Sequence, residues 1–155
     1  MLLYRISKSE FAQDLNGTGA ALYGGRWNPK GFSMLYTASS ISLAVLEYMA
    51  HNFHLIQSME LTLCIIKISE DIHIEQVNAA DLPNEWNKPM KSMRFTQGLG
   101  AEFLKAKRAS ALKVPSAIIP NEFNVLLNPN HLEHKKTKVH ETINSFKLDE
   151  RLFGL

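Results

Sequence analysis

The sequence predicts a single α+β domain with mixed sheets over residues 1–155, and three observations carry that reading. The length, 155 residues, suits one domain with one sizeable core and is too short for two comfortable ones. No repeat, low-complexity tract or interdomain linker interrupts the chain. Two stretches of helical spacing lie among short apolar runs bounded by Pro, Gly and Asn, which is the pattern of helices and strands sharing a core.

Taken in order, residues 2–6 read as a first strand, with Ser7 or Ser9 available to cap a short helix through about Leu15. Gly17, Gly19, Gly24 and Gly25 then place four glycines in nine positions, the composition of a loop. Residues 33–37 read as a strand, Ser39 or Ser40 as an N-cap, and 41–54 as a helix that turns Ile41, Val45 and Tyr48, or Ala44, Leu46 and Met49, to the core. Residues 59–68 are apolar at nearly every position and rich in β-branched side chains, as in a central strand covered on both faces.

Residues 72–77 follow as a further strand, and Pro83 and Pro89 mark a loop in which Trp86 serves as an anchor. Phe95, Leu99, Phe103 and Leu104 have helical spacing over 94–108. Gly98 and Gly100 weaken that helix, so they permit close packing or the approach of a ligand. Short strands are expected at 111–114, 117–119, 125–127 and 139–146.

Composition narrows function. A net charge of +2 is too mild to imply direct binding to nucleic acid or a membrane, and the one basic cluster, His134 to Lys138, reads as a solvated turn or strand edge. Cys64 is the only cysteine and sits in an apolar run, so neither an intramolecular disulfide nor a cysteine-based metal framework is available, and an inert buried thiol is expected. No run approaches the roughly 20 apolar residues of a membrane span, and the first residues lack a signal-peptide pattern. A cytoplasmic chain is expected. His51 and His54 share a helical spacing, but no third ligand completes a set, so no metal is expected. The Gly-Thr-Gly at 17–19 lacks the strand-to-helix context and full spacing of a dinucleotide-binding fingerprint.

The informative region is Gly24-Gly25-Arg26-Trp27-Asn28, followed by Tyr36-Thr37-Ala38 and by Leu43-Ala44-Val45-Leu46-Glu47. It sets a cation on a loop, a phenol on a strand and a carboxylate on a helix. Such a set suits an anionic, ring-bearing ligand on which positive charge develops. Glu47 stands inside an otherwise apolar helical run, where an ionised side chain is costly unless it faces solvent or has partners. Trp27 is a candidate pocket wall.

With Tyr4-Arg5, Val114-Pro115-Ser116 and Leu127-Asn128-Pro129 in order around these motifs, the chain resembles the RES-domain family from Tyr4 to about Leu152. One departure is visible: many relatives continue with His-Pro after the Asn-Pro, whereas Asn130-His131-Leu132 stands here. The resemblance implies an ADP-ribosyltransferase-like fold and the toxin half of a bacterial toxin–antitoxin module. NAD⁺ is then the substrate, cleaved at its nicotinamide–ribose bond by hydrolysis or phosphorolysis or used to ADP-ribosylate a protein, and the partner is an Xre-family helix-turn-helix antitoxin.

The same resemblance makes Arg26, Glu47 and Ser116 the catalytic set and adds Arg5 and Tyr36 to the pocket. Arg26 is then the expected phosphate clamp, since a guanidinium offers paired donors to phosphate oxygens. Glu47 orients the ribose and stabilises its developing charge, Tyr36 stacks on nicotinamide or donates to phosphate, and Arg5 contacts phosphate or ribose. Ser116 is expected to hydrogen-bond nicotinamide or ribose and not to act as a nucleophile, because no His–Asp pair is spaced around it.

Overall fold

A computed structural model describes residues 1–52, 60–88 and 91–153. Seven strands form one mixed sheet: β1 (Leu2–Lys8), β2 (Leu35–Ala38), β3 (Leu61–Lys67), β4 (Ile74–Gln76), β5 (Ala111–Pro115), β6 (Phe123–Leu127) and β7 (Lys138–Ile143). Their order is β4-β5-β6-β2-β1-β3-β7, with β4 and β5 parallel and every other pair antiparallel. Among the described residues the sheet is accompanied by three α-helices, α1 (Thr18–Tyr23), α2 (Ile41–Asn52) and α3 (Met93–Ala106), and by short 3-10 turns.

The nearly continuous apolar character of β3, broken within the strand only by the hydrogen-bonded Thr62 before Lys67, has a direct cause. The strand lies between β1 and β7, and all its residues but Ile65 and Lys67 are buried, so neither face needs polar side chains. Direct cross-strand partners share a face, and the register Asn124–Ala38, Ala38–Tyr4 and Tyr4–Ile65 therefore defines one side of the sheet. On that side Leu43 and Ala44 of α2 pack with Ile6, Ala38 and Leu63, and Phe103 and Leu104 of α3 pack in a neighbouring cluster with Trp27, Met34 and Leu126. Leu3, Cys64, Ile66, Val125 and Leu127 form the core of the opposite side. Cys64 is fully buried there, and burial pushes its thiol pKa up, as expected of an inert cysteine.

Several local expectations change. The glycine-rich stretch contains α1, because the Asp14 carboxylate accepts hydrogen bonds from the backbone N–H groups of Asn16 and Thr18 at 2.8 and 3.1 Å and Gly17 turns into the helix at φ +66°. The helix expected before Leu15 shrinks to a 3-10 turn at Ser9–Phe11, since the Ser9 hydroxyl bonds across to Glu60 and Thr62 instead of capping. Residues 117–119 form no strand. The Ser116 hydroxyl accepts the N–H groups of Ile118 and Ile119, both at 3.1 Å, and folds them into a turn.

Ser40 is the cap of α2, its hydroxyl accepting from Leu43 N at 3.1 Å. The apolar face of that helix is set by Leu43 and Ala44, whereas Ile41 and Leu46 are exposed. Met59, Pro89 and the expected helix end at His54 lie outside the described residues. His134 to Lys136 form part of a 3-10 turn, Leu132–Lys136, and lead into the edge strand β7, the setting expected for the basic cluster.

Candidate active site

The Gly24–Asn28 loop is held from several sides before its side chains do any chemistry. Asn28 is fully buried, with its amide nitrogen donating to the carbonyls of Ala20 and Phe32 at 2.8 Å each and its oxygen accepting the Tyr36 hydroxyl at 2.7 Å. That hydroxyl in turn accepts the Trp27 N–H at 3.0 Å. Gly25 is required beneath it, because a Cβ there would come within 2.5 Å of the Tyr36 oxygen. From α3, Thr96 donates to the Arg26 carbonyl at 2.6 Å and Gln97 to the Gly25 carbonyl at 2.9 Å. Gly100 lets the helix touch the loop, since a Cβ would lie 1.7 Å from the Trp27 carbonyl oxygen.

Trp27 is a core side chain, 3% exposed, and not a pocket wall. Of the two roles expected of Tyr36, the hydroxyl donation to phosphate is taken up within the fold: burial pushes its pKa up, and its hydroxyl donates to Asn28 and accepts from Trp27. Its half-buried ring packs against the Trp27 cluster.

With its backbone fixed, Arg26 extends its guanidinium to the 86–88 segment. It donates to the carbonyls of Trp86 at 2.5 Å, Lys88 at 3.2 Å and Asn87 at 3.5 Å. The Trp86 ring lies 6.0 Å from the guanidinium carbon and 6.0 Å from the Trp27 ring, so Trp86 is the loop anchor expected of it. Burial lowers the Arg26 pKa, with the charges of Glu47 and Tyr36 opposing that shift. The group stays cationic at neutral pH.

Glu47 reaches the sheet because it is four residues beyond Leu43 and three beyond Ala44, the two buried residues of α2. Its Oε1 accepts two hydrogen bonds, from the Ser116 hydroxyl at 2.9 Å and the Asn124 amide at 2.5 Å. Oε2 accepts none among the described residues. Glu47 acts electrostatically on Arg26 without forming an ion pair with it among the described residues.

The structure therefore brings Arg26, Tyr36, Glu47 and Ser116 to one region and leaves Arg5 out of it. Arg5 pairs with Cys64 across the sheet, on the face opposite Asn124, and donates to the Asp14 carbonyl at 2.6 Å. It is mostly enclosed, and burial lowers its pKa while Asp14 opposes the shift. Strand alternation is the reason: Tyr4 and Ile6 take the α2 side, so Arg5 takes the other.

Ser116 has no free valence toward a ligand, since its oxygen accepts from Ile118 and Ile119 while its proton goes to Glu47. Asn124 and the carbonyls of 86–88 were missed in the sequence. A polar residue inside the apolar strand Phe123–Leu127 was the available signal for Asn124; backbone carbonyls leave none. A surface hollow of about 580 Å³ along α3, at Gly98, Ala101, Glu102, Lys105 and Ala106, shares no residue with this group. Among the described residues no group of three or more His, Cys, Asp or Glu is placed to hold a metal ion, and no helix is long and apolar enough to cross a membrane.

Comparison with known proteins decides the family. The RES domain model matches residues 2–149. The chain belongs to the RES-domain family. This RES domain is 39% identical to "Toxin Res" of Photorhabdus laumondii over 98% of the chain and 97% of that protein. It is 34% identical to the "Prs ADP-ribosylating toxin" of Sphingobium sp. over 82% and 80% of the two chains. Its fold matches a chain in the crystal structure of the M. tuberculosis MbcT–MbcA toxin–antitoxin complex with a TM-score of 0.76 at 18% identity, covering 99% of this RES domain and 86% of that chain. The α+β class and ADP-ribosyltransferase-like architecture expected from the sequence are those of the structure, with one mixed sheet in place of several.

Proposed function

We propose that this chain is the toxin of a bacterial toxin–antitoxin module and that it acts in the cytoplasm by breaking the nicotinamide–ribose bond of NAD⁺. The observation that supports this best is the Glu47 carboxylate, held through Oε1 by Ser116 and Asn124, with no partner on Oε2 among the described residues and near enough to Arg26 for its charge to oppose the lowering of the Arg26 pKa. Nicotinamide in NAD⁺ is already cationic, so the C–N electron pair leaves with the ring nitrogen and no general acid is needed. The barrier lies in the oxocarbenium-like ribose. An anionic oxygen fixed near that ribose stabilises the charge as it develops, as carboxylates do in glycoside hydrolysis.

Arg26 receives the pyrophosphate. Its present acceptors are neutral carbonyls, and phosphate oxygens offer stronger, charge-assisted bonds to the same fork. The exposed side of the Tyr36 ring lines the pocket. Water or inorganic phosphate then adds its oxygen to the ribose carbon and gives up a proton, yielding ADP-ribose or its phosphorylated form.

A second reading, mono-ADP-ribosylation of a protein through the same intermediate, is favoured by the name of the Sphingobium relative. The partner is an antitoxin, as the MbcT–MbcA complex exemplifies for its own toxin, and we assign it to the Xre family. Incubating purified protein with labelled NAD⁺, with and without phosphate and with cell extract, separates these outcomes. Free nicotinamide with ADP-ribose marks hydrolysis, a phosphorylated sugar product marks phosphorolysis, and label on protein marks transfer. No nicotinamide under any condition contradicts the proposal.

A further inference from the structure

We infer that Asn124 is a positioning residue that works through Glu47, fixing which carboxylate oxygen faces the ligand. The inference deepens the proposed NAD⁺ reading and rests on it for the identity of the ligand, but its geometry stands alone. Asn124 lies on β6 between β2 and β5, paired with Ala38 on one side and Val114 on the other. Both neighbours are buried, so the backbone from which the amide projects has little freedom. A polar side chain in a strand of Phe, Val and Leu is costly unless it has a partner. Its partner is Glu47 Oε1, at 2.5 Å.

Glu47 needs such a partner, because a glutamate on a helix has several side-chain torsions and no single orientation of its own. Ser116 supplies one donor from the turn after β5, with its own hydroxyl direction set by the two N–H groups it accepts. One hydrogen bond leaves the carboxylate free to rotate about that contact. A second donor on the same oxygen, arriving from strand β6, removes that freedom and leaves Oε2 without a partner among the described residues. An ionised carboxylate only accepts, so the amide nitrogen of Asn124 and not its oxygen faces Glu47. Neither side chain touches the reacting atoms in this arrangement; both hold the group that does.

The test is a double-mutant cycle on nicotinamide release with a spectroscopic arm. Asn124→Ala should lower kcat about tenfold and leave KM within about twofold, the signature of an interaction that matters in the transition state. In a Glu47→Gln background the same change should produce no further loss, because the group it positions has lost its charge. Asn124→Asp should be worse than alanine, since it sets a like charge against Glu47. Equal losses in both backgrounds, or a KM rise with unchanged kcat, would overturn the inference.

The spectroscopic arm needs no turnover. In folded protein carrying ¹³C-labelled glutamate, the Glu47 carboxyl resonance, identified by its absence in Glu47→Gln, should move in Asn124→Ala and stay in place in Gln76→Ala. An unmoved resonance rejects the positioning role. If the wild-type protein releases no nicotinamide, the NAD⁺ reading falls while this arm still decides the role of Asn124.

Discussion

At the scale of single residues, the site depends on how three charged or polar groups are partnered. Glu47 has two donors on one oxygen, Ser116 has its whole hydroxyl engaged, and Arg26 is bound to neutral backbone carbonyls. Ser116→Ala should therefore lower kcat by about three- to tenfold while KM for NAD⁺ changes little, the loss of one positioned hydrogen bond being about 1 kcal/mol. A large KM increase instead would make Ser116 a ligand contact. Arg26→Ala should raise KM by about tenfold or more, and Arg26→Lys should recover part of it, because lysine keeps the charge and loses the fork. Titration calorimetry with unchanged NAD⁺ affinity in the alanine variant would remove Arg26 from the clamp. An acid inside an apolar helical run singled out Glu47 in the sequence, but the run alone left it facing either solvent or a site, and the family resemblance made it a site residue. Arg5 was misplaced because a family motif carries no strand parity, and one residue along a strand reverses the face.

At the scale of elements, α3 and the Gly24–Asn28 loop form a unit whose contact is set by glycine. Gly100→Ala should cost about 3 kcal/mol, lowering Tm by roughly 6–12 °C, since its Cβ meets a backbone oxygen that no rotamer change can move. Gly98 faces open space, so Gly98→Ala should leave Tm unchanged or raise it slightly. Equal melting temperatures for the two variants would contradict this packing. His134 ties the turn before β7 to Leu15 through a 2.9 Å hydrogen bond to its carbonyl, and burial lowers its pKa. The unfolded chain then binds more protons near pH 6, so His134 contributes stability that is present above about pH 6.5 and declines as pH falls through the lowered folded value. His134→Gln should reduce the loss of urea midpoint between pH 7.5 and pH 5; an identical loss would show that His134 plays no part. Long periodic elements such as α2, α3 and β3 were readable from hydrophobic spacing. The helix at Thr18–Tyr23 and the turn at 117–119 were not, because side chains of Asp14 and Ser116 decide them through hydrogen bonds that periodicity does not record.

At the scale of the whole molecule, a net charge of +2 gives no reason for tight binding to DNA by this chain alone. An Xre-family antitoxin should supply that function, its helix-turn-helix part holding operator DNA and its other part covering the NAD⁺ pocket. Adding it should suppress nicotinamide release and confer operator binding on the complex; undiminished release, or tight operator binding by this chain alone at physiological salt, would contradict that arrangement. The central claim, that Glu47 near Arg26 cleaves NAD⁺, is tested most directly by the nicotinamide release rates of the purified wild type and Glu47→Gln at saturating NAD⁺. The variant keeps the shape and loses the charge. Wild-type protein should release nicotinamide, and the folded variant should do so at least about tenfold more slowly, a barrier difference of roughly 1.4 kcal/mol. Equal rates in the two proteins, or no release by the wild type, would contradict it.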